Sequence, residues 1–311
     1  LPHDGGFNHP RGDRRMPEFN TLLSGYSFFE GPRWRDGRLW LSDFYTHQVI
    51  ACDLQGRVEK IADVPGQPSG LGWLPDGRLL IVSMRDRRVL RREADGQLVT
   101  HADLSNIATG HCNDMAVDAQ GRAWVGNFGF DLMGGGGVQT ASLARVDPDG
   151  SVHEVARDLY FPNAILPTPD GRTLIVNETL GNRLSAFDIA ADGSLGPRRD
   201  WAVFGPLVQS DKLDDYIAGG KVAADGGALD AEGAVWVADA IGNRALRVAE
   251  GGRVLQEVST GAQGTFACTL GGPDGRTLFL CVAPDFMEHH RAAAREAQIW
   301  TTRVDVPGAG F

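Results

Sequence analysis

Four side chains with ligand oxygens, Glu30, Asn113, Asn163 and Asp225, hold equivalent places in a repeated strand, turn and strand unit where a plain strand would carry Val or Ala. Carboxylate and amide oxygens brought to one level would bind a hard divalent cation. Ca²⁺ fits that donor set first, with Mg²⁺ and Mn²⁺ as alternatives. Zn²⁺ fits less well, because zinc sites usually recruit the His or Cys that this ring lacks. A cation so held can polarise a carbonyl and stabilise the oxyanion that forms when water attacks it. A lone Asn or Asp at such a place is readily a turn cap bonded to local backbone. Several in register across repeats point to a site.

The register comes from the repeat. The stretch Cys112 to Asn127 is one copy, and versions of it recur around the turn pairs Asp36-Gly37, Asp76-Gly77, Gln120-Gly121, Asp170-Gly171, Glu232-Gly233 and Asp274-Gly275. Apolar runs such as Leu39-Trp40-Leu41 and Val235-Trp236-Val237 follow the turns. The turn glycines are 40, 44, 50, 62 and 42 residues apart, and strand-patterned repeats of that length are what β-propeller blades leave in a sequence. The predicted fold is all-β, a six-bladed β-propeller, formed by residues 16–311 as one domain. Residues 1–15, rich in Gly, Pro, His and Arg and followed by a candidate start at Met16, read as an N-terminal extension, native or added. Phe19 to Ser24 and Ile299 to Val306 are expected to share the closing blade, which otherwise leaves strand edges unpaired.

Counting back six or seven from the turn gives Glu30, Ser69, Asn113, Asn163, Asp225 and Ala267; counting forward as far from the turn glycine gives Asp43, Ser83, Asn127, Glu178, Asp239 and Val282. Residues equidistant from a hairpin turn lie at the same level, so two concentric polar rings are expected around one mouth. Three segments exceed the repeat: Gly129 to Ala141, Phe204 to Ala223 and Pro284 to Gln298, the last with helix-forming composition. All lengthen the same face, where ligands bind. His111, two residues before Asn113, is a candidate substrate contact or proton donor, with a hydrogen-bonded structural histidine as the alternative. Asp131, Met133 and Phe161 are further candidates for substrate binding.

A net charge of −10 argues against nucleic acid as a partner and suits a cation site. Cys52, Cys112, Cys268 and Cys281 have no close spacing and read as buried thiols, with Cys112 and Cys268 near enough to ring positions to reach the pocket. No run is long and apolar enough for a membrane span and no signal-peptide core is present, so the expectation is a cytoplasmic protein acting on a small molecule. No Gly-x-Ser-x-Gly elbow, His-Glu-x-x-His or dinucleotide fingerprint occurs, so serine-nucleophile chemistry is unsupported.

In its motifs Glu30-Gly31-Pro32-Arg33-Trp34, His111-Cys112-Asn113-Asp114, Phe161-Pro162-Asn163-Ala164 and Ala224-Asp225-Gly226-Gly227, the chain resembles the senescence marker protein/gluconolactonase family, the regucalcin-like propellers. The resemblance runs from about Phe28 to Val306. It implies one axial divalent cation and, as in many members, hydrolysis of a sugar lactone. It implies Glu30, Asn163 and Asp225 as metal ligands, Asn113 as a ligand to substrate or metal, and Asp225 as a base. The chain departs from the family at His111, where Arg is frequent, at Ala164 and at Ala224. Histidine cannot reproduce the bidentate fork of Arg, so a less polar pocket is expected, lined by Phe128, Met133, Phe161 and Phe266.

The reading that follows is a metal-dependent lactone or ester hydrolase with Asp225, Asn113 and Glu178 as candidate catalytic residues. Asp225 or Glu178 would deprotonate the attacking water. Coordination lowers the pKa of Asp225 and weakens it as a base, which keeps Glu178 in play. A lyase, hydratase or phosphotriesterase on the same scaffold, and a non-catalytic calcium- or ligand-binding propeller, are the alternatives.

Overall fold

The computed structural model describes residues 17–310, so the extension expected over residues 1–15 lies outside the described residues. Six antiparallel four-stranded sheets follow one another along the chain. Their inner strands, Phe29–Arg35, Pro68–Trp73, Cys112–Val117, Pro162–Pro167, Ala224–Leu229 and Gly264–Gly271, pack in that cyclic order, and the last returns to the first. The protein is therefore a six-bladed β-propeller.

Each blade is built on the turn chemistry seen in the sequence. In the third, the Asp118 carboxylate accepts the N–H groups of Gln120 at 2.9 Å and Arg122 at 3.0 Å. Gly121 takes φ +79°, a conformation that glycine adopts without the clash a Cβ would cause. Leu, Val, Ile and Trp on alternate positions then bury both faces of each sheet between neighbouring blades; Trp124 and Trp236 are wholly buried there. The closing blade joins Gly264–Gly271, Thr277–Ala283 and Ala297–Arg303 to the early strand Asn20–Tyr26, with Asn20 opposite Thr301 and Tyr26 opposite Ala297. That is the closure expected from the two chain segments.

The long insertions carry the two helices, α1 (Leu213–Gly219) and α2 (Glu288–Ala293). With the glycine-rich loop after Asn127 they roof one mouth of the central channel, while Pro307 and Ala309 bond to Ala231 and Leu229 at the other. Among the described residues no helix is long and apolar enough to cross a membrane.

Candidate active site

Glu30, Asn113, Asn163 and Asp225 are each the second residue of an inner strand, in blades one, three, four and five. A bulge follows at the same place in every case, between Glu30 and Arg33, Cys112 and Met115, Pro162 and Ile165, and Ala224 and Gly227. Bulges bend a strand and re-aim its side chains, and here they turn four oxygen-bearing groups toward the axis. Glycine lets the inner strands converge: a Cβ on Gly31, at φ +59°, would lie 2.5 Å from the Ser69 carbonyl oxygen, and one on Gly226 would lie 2.6 Å from Ala267 Cα. The four side chains, 5, 3, 3 and 8% exposed in chain order, form the floor of a cavity with roughly 930 Å³ of empty space, its opening included.

The floor is electrostatically uncompensated. Burial, and after it the charges of Asp225 and Asp114, pushes the Glu30 carboxyl well above the usual carboxylate range, against the Gly31 N–H and Arg33. Burial and then Asp114 raise Asp225 in the same way, with the Gly226 N–H and the Asn163 amide pulling against them. Arg33, beneath the floor, is committed elsewhere: it donates to Asp114 Oδ1 at 2.7 Å, to the Met115 carbonyl at 2.6 Å and to the Leu71 carbonyl at 3.1 Å. Two atoms, Asn163 Oδ1 and Asp225 Oδ1, are buried without any hydrogen-bond partner. Such orphaned acceptors are costly in a protein interior and ask for an explanation.

A hard divalent cation fits them. The donors are oxygens throughout, two carry charge, and the orphaned atoms face one cavity. Among the described residues no three His, Cys, Asp or Glu side chains converge as a metal-binding group, so amide oxygens would have to complete the set. Thr179 fixes one of those amides. Its hydroxyl accepts from Asn163 Nδ2 at 3.2 Å and donates to the Ala224 carbonyl at 2.8 Å, leaving Asn163 Oδ1 free and tying the Asn163 and Asp225 strands together. Ser69 Oγ donates to Asn113 Oδ1 at 3.4 Å.

Above the floor the wall is aromatic and aliphatic. Phe128, Met133, Phe161 and Phe266 line it, together with Phe28, which the repeat pattern did not single out. Phe128 and Phe161 stack with centroids 4.7 Å apart and planes at 9°. Leu213, Tyr216 and Ile217 of the α1 insertion, and Phe286 just before α2, form the roof.

Several expectations are corrected. His111 does not line the cavity. Its ring lies beside Phe128 with centroids 5.8 Å apart, its Nδ1 is buried without a partner, and burial followed by Arg85 lowers its pKa. Asp131 also stays out, exposed on its loop and accepting the Gly134 N–H at 2.8 Å. Cys112 and Cys268 are core thiols whose pKa burial raises.

The larger correction is the outer ring. Asp43 lies opposite Phe29, Asn127 opposite Cys112, Glu178 opposite Pro162 and Asp239 opposite Ala224, one residue before the floor position. Opposed residues share a face and successive residues alternate, so the outer ring points away from the floor. Its acids grip backbone instead. Asp43 accepts the Phe28 N–H at 2.8 Å, Glu178 the Tyr160 N–H at 2.8 Å and Asp239 the Ala223 N–H at 3.0 Å. Glu178 is wholly buried, bonded to Ser185 Oγ and paired with Arg183 Nε at 2.9 Å. It has no access to water in the cavity and cannot be the base.

Comparison with known proteins gives consistent findings. Residues 28–284 match the family described as SMP-30/Gluconolactonase/LRE-like region. A 6-deoxy-6-sulfogluconolactonase of Pseudomonas putida is 26% identical over 289 residues, covering 90% of this chain and 92% of that protein. A regucalcin of Xenopus laevis is 28% identical, with 85% of each chain covered. Among solved structures, a calcium-binding protein, regucalcin, of Agrobacterium tumefaciens has a TM-score of 0.75 at 23% identity, covering 94% of this chain and 95% of that one, a likeness in fold.

Proposed function

We propose, starting from the fact that this chain belongs to the SMP-30/Gluconolactonase/LRE-like family, that it hydrolyses a lactone on the cavity floor with the help of one divalent cation, Ca²⁺ first. The observation that carries the cation is the pair of buried carboxylates, Glu30 and Asp225, with Asp225 Oδ1 and the neighbouring Asn163 Oδ1 left without hydrogen-bond partners. Glu30, Asn163 and Asp225 would hold it. When bound, it supplies Lewis-acid polarisation of the lactone carbonyl.

The remaining steps fall to the protein's own groups. Asp225, on the cavity floor, would take the proton of the attacking water through the carboxylate oxygen that the cation leaves free. Asn113, whose Oδ1 is held by Ser69, presents its Nδ2–H₂ to a substrate oxygen. Asn163 is kept from rotating by Thr179. The aromatic wall excludes bulk water, which strengthens each of these interactions. It also supports a pocket less polar than a polyhydroxylated sugar would require.

The test is a lactone panel assayed on protein stripped of metal and on the same protein with Ca²⁺, Mg²⁺, Mn²⁺ or Zn²⁺ restored, with products identified by mass. Hydrolysis adds one water and elimination adds none. Turnover unaffected by stripping would remove the cation from the mechanism. Absence of turnover across the panel would favour a binding protein.

A further inference from the structure

Phe161 sits at φ +56°, a left-handed conformation that a bulky side chain rarely adopts. The corresponding place in blade two, Gln67 before Pro68, is also left-handed at φ +78°, while the residues before the other four inner strands are not, so this backbone shape belongs to the two strands that begin at proline. Glycine would satisfy the requirement without strain. A phenylalanine held there against its own preference therefore needs a reason beyond the turn, since strain retained at a site is a pointer to function.

The surroundings supply one. The turn is fixed on three sides: Glu178 holds the Tyr160 N–H, Thr179 N–H bonds to the Phe161 carbonyl at 2.9 Å, and Leu180 N–H bonds to the Tyr160 carbonyl at 3.2 Å. The ring is thereby laid flat on Phe128, forming a planar wall two residues from the floor donor Asn163. Among the described residues no Lys, Arg or His side chain lines the cavity. Two polar side chains higher in the wall are turned into the protein: Asn182 Nδ2 donates to the Pro206 carbonyl at 2.8 Å, its Oδ1 accepts the Lys221 N–H at 2.7 Å, and the Tyr216 hydroxyl donates to the Ser210 carbonyl at 2.9 Å. Tyr45 also lines the cavity. A polyhydroxylated sugar entering this compartment would lose more hydrogen bonds to water than the Tyr45 hydroxyl could replace, and an anionic substituent would find no side-chain cation in the wall.

We infer that the compartment above the floor is a subsite for a neutral lactone bearing a planar apolar group, such as an aryl-fused ring, and that Phe161 determines this preference by stacking on it. The inference rests on the lactonase reading of the floor. It does not require the cation.

The experiment compares kcat/KM for dihydrocoumarin, a benzo-fused lactone, with that for glucono-1,5-lactone, in wild type, Phe161→Gly and Phe161→Tyr. Binding of coumarin as a planar probe is measured on the same proteins by calorimetry. Wild type should favour dihydrocoumarin. Phe161→Gly, folded and free of the backbone strain, should lose about tenfold in coumarin affinity and in kcat/KM for dihydrocoumarin, mainly through KM, and so shift the ratio of the two substrates toward gluconolactone. Phe161→Tyr should retain both. A wild type that prefers gluconolactone, or a glycine variant with an unchanged ratio of the two substrates, overturns the inference. If neither lactone is turned over, the lactonase reading fails separately and coumarin binding decides: its loss in Phe161→Gly alone upholds the planar subsite, and equal binding in all three proteins ends it.

Discussion

Glu178 Oε2 accepts the Tyr160 N–H at 2.8 Å, and the residue after Tyr160 is the one whose ring forms the flat wall of the cavity. The acid on the second strand of the blade thus acts on the site through the backbone of the first. Asp43 does the same to Phe28 and Asp239 to Ala223, two other residues of the wall.

Glu178→Gln should therefore lower stability rather than remove chemistry. It leaves the Arg183 guanidinium unpaired where it is mostly buried, at a cost of about 3 kcal/mol, since breaking one side of a buried ion pair typically costs that much. Denaturant unfolding with kcat measured alongside distinguishes the two roles. A stable variant with kcat lowered a hundredfold would return Glu178 to the catalytic set.

Asp225→Ala should abolish turnover while the propeller persists. The variant removes the orphaned Oδ1 and one of the two floor charges but leaves the strand ladders and the Thr179 link between blades four and five intact. Circular dichroism and a thermal melt check the fold, and a progress curve checks the loss. Retention of a tenth or more of wild-type kcat would show that another group accepts the proton.

Thr179→Val removes the hydroxyl that orients the Asn163 amide and keeps the shape of the side chain. Groups that orient a metal ligand are typically worth ten- to a hundredfold in affinity, so calcium binding by calorimetry should weaken about tenfold. Thr179→Ser should restore it. Equal affinity in all three proteins would mean that Asn163 needs no such support.

The metal-free protein should lose stability as pH rises from the acid range toward neutrality. Glu30 and Asp225 have folded-state pKa values raised by burial, so their protons are held more tightly in the folded chain than in the unfolded one. That contribution is complete below the unfolded values, near ~4, and disappears as pH passes upward through the raised ones. Calcium should offset the loss at neutral pH, by about 2.7 kcal/mol at a hundredfold excess over its Kd, and do little in acid, where protons occupy the same oxygens. Melting curves with and without calcium across this range provide the measurement. A calcium effect that is as large in acid as at pH 7 would contradict it.

The blades and the floor were legible in the sequence for the same reason. Turn pairs such as Asp170-Gly171 mark a fixed point in each repeat, and distance from that point sets the level of Asn163 or Asp225 along the axis. Distance does not set the face. Glu178 lies at the right level, but its register opposite Pro162 turns it outward, and only cross-strand pairing reveals that. His111 differs for another reason: it stands two residues before Asn113 but ahead of the strand Cys112–Val117, so strand alternation does not carry it to the floor. The wall was legible in part. Phe128 and Phe161 adjoin repeat positions, whereas Leu213, Tyr216 and Phe286 arrive from insertions that have no counterpart in other blades.

The closing blade also gives the site a history. Thr301 reaches back to Asn20 across 281 residues, and among the described residues the strand Asn20–Tyr26 has no sheet partner other than Ala297–Arg303. During synthesis that strand must wait, edge exposed, until residues 297–303 have emerged, the circumstance in which β-topologies fold slowly and are open to mispairing. The floor donors belong to blades one, three, four and five, so no fragment short of the closed ring assembles them at one level. The assembled floor, and with it the cation affinity proposed for it, is thus acquired last, as the sign that the circle has been completed.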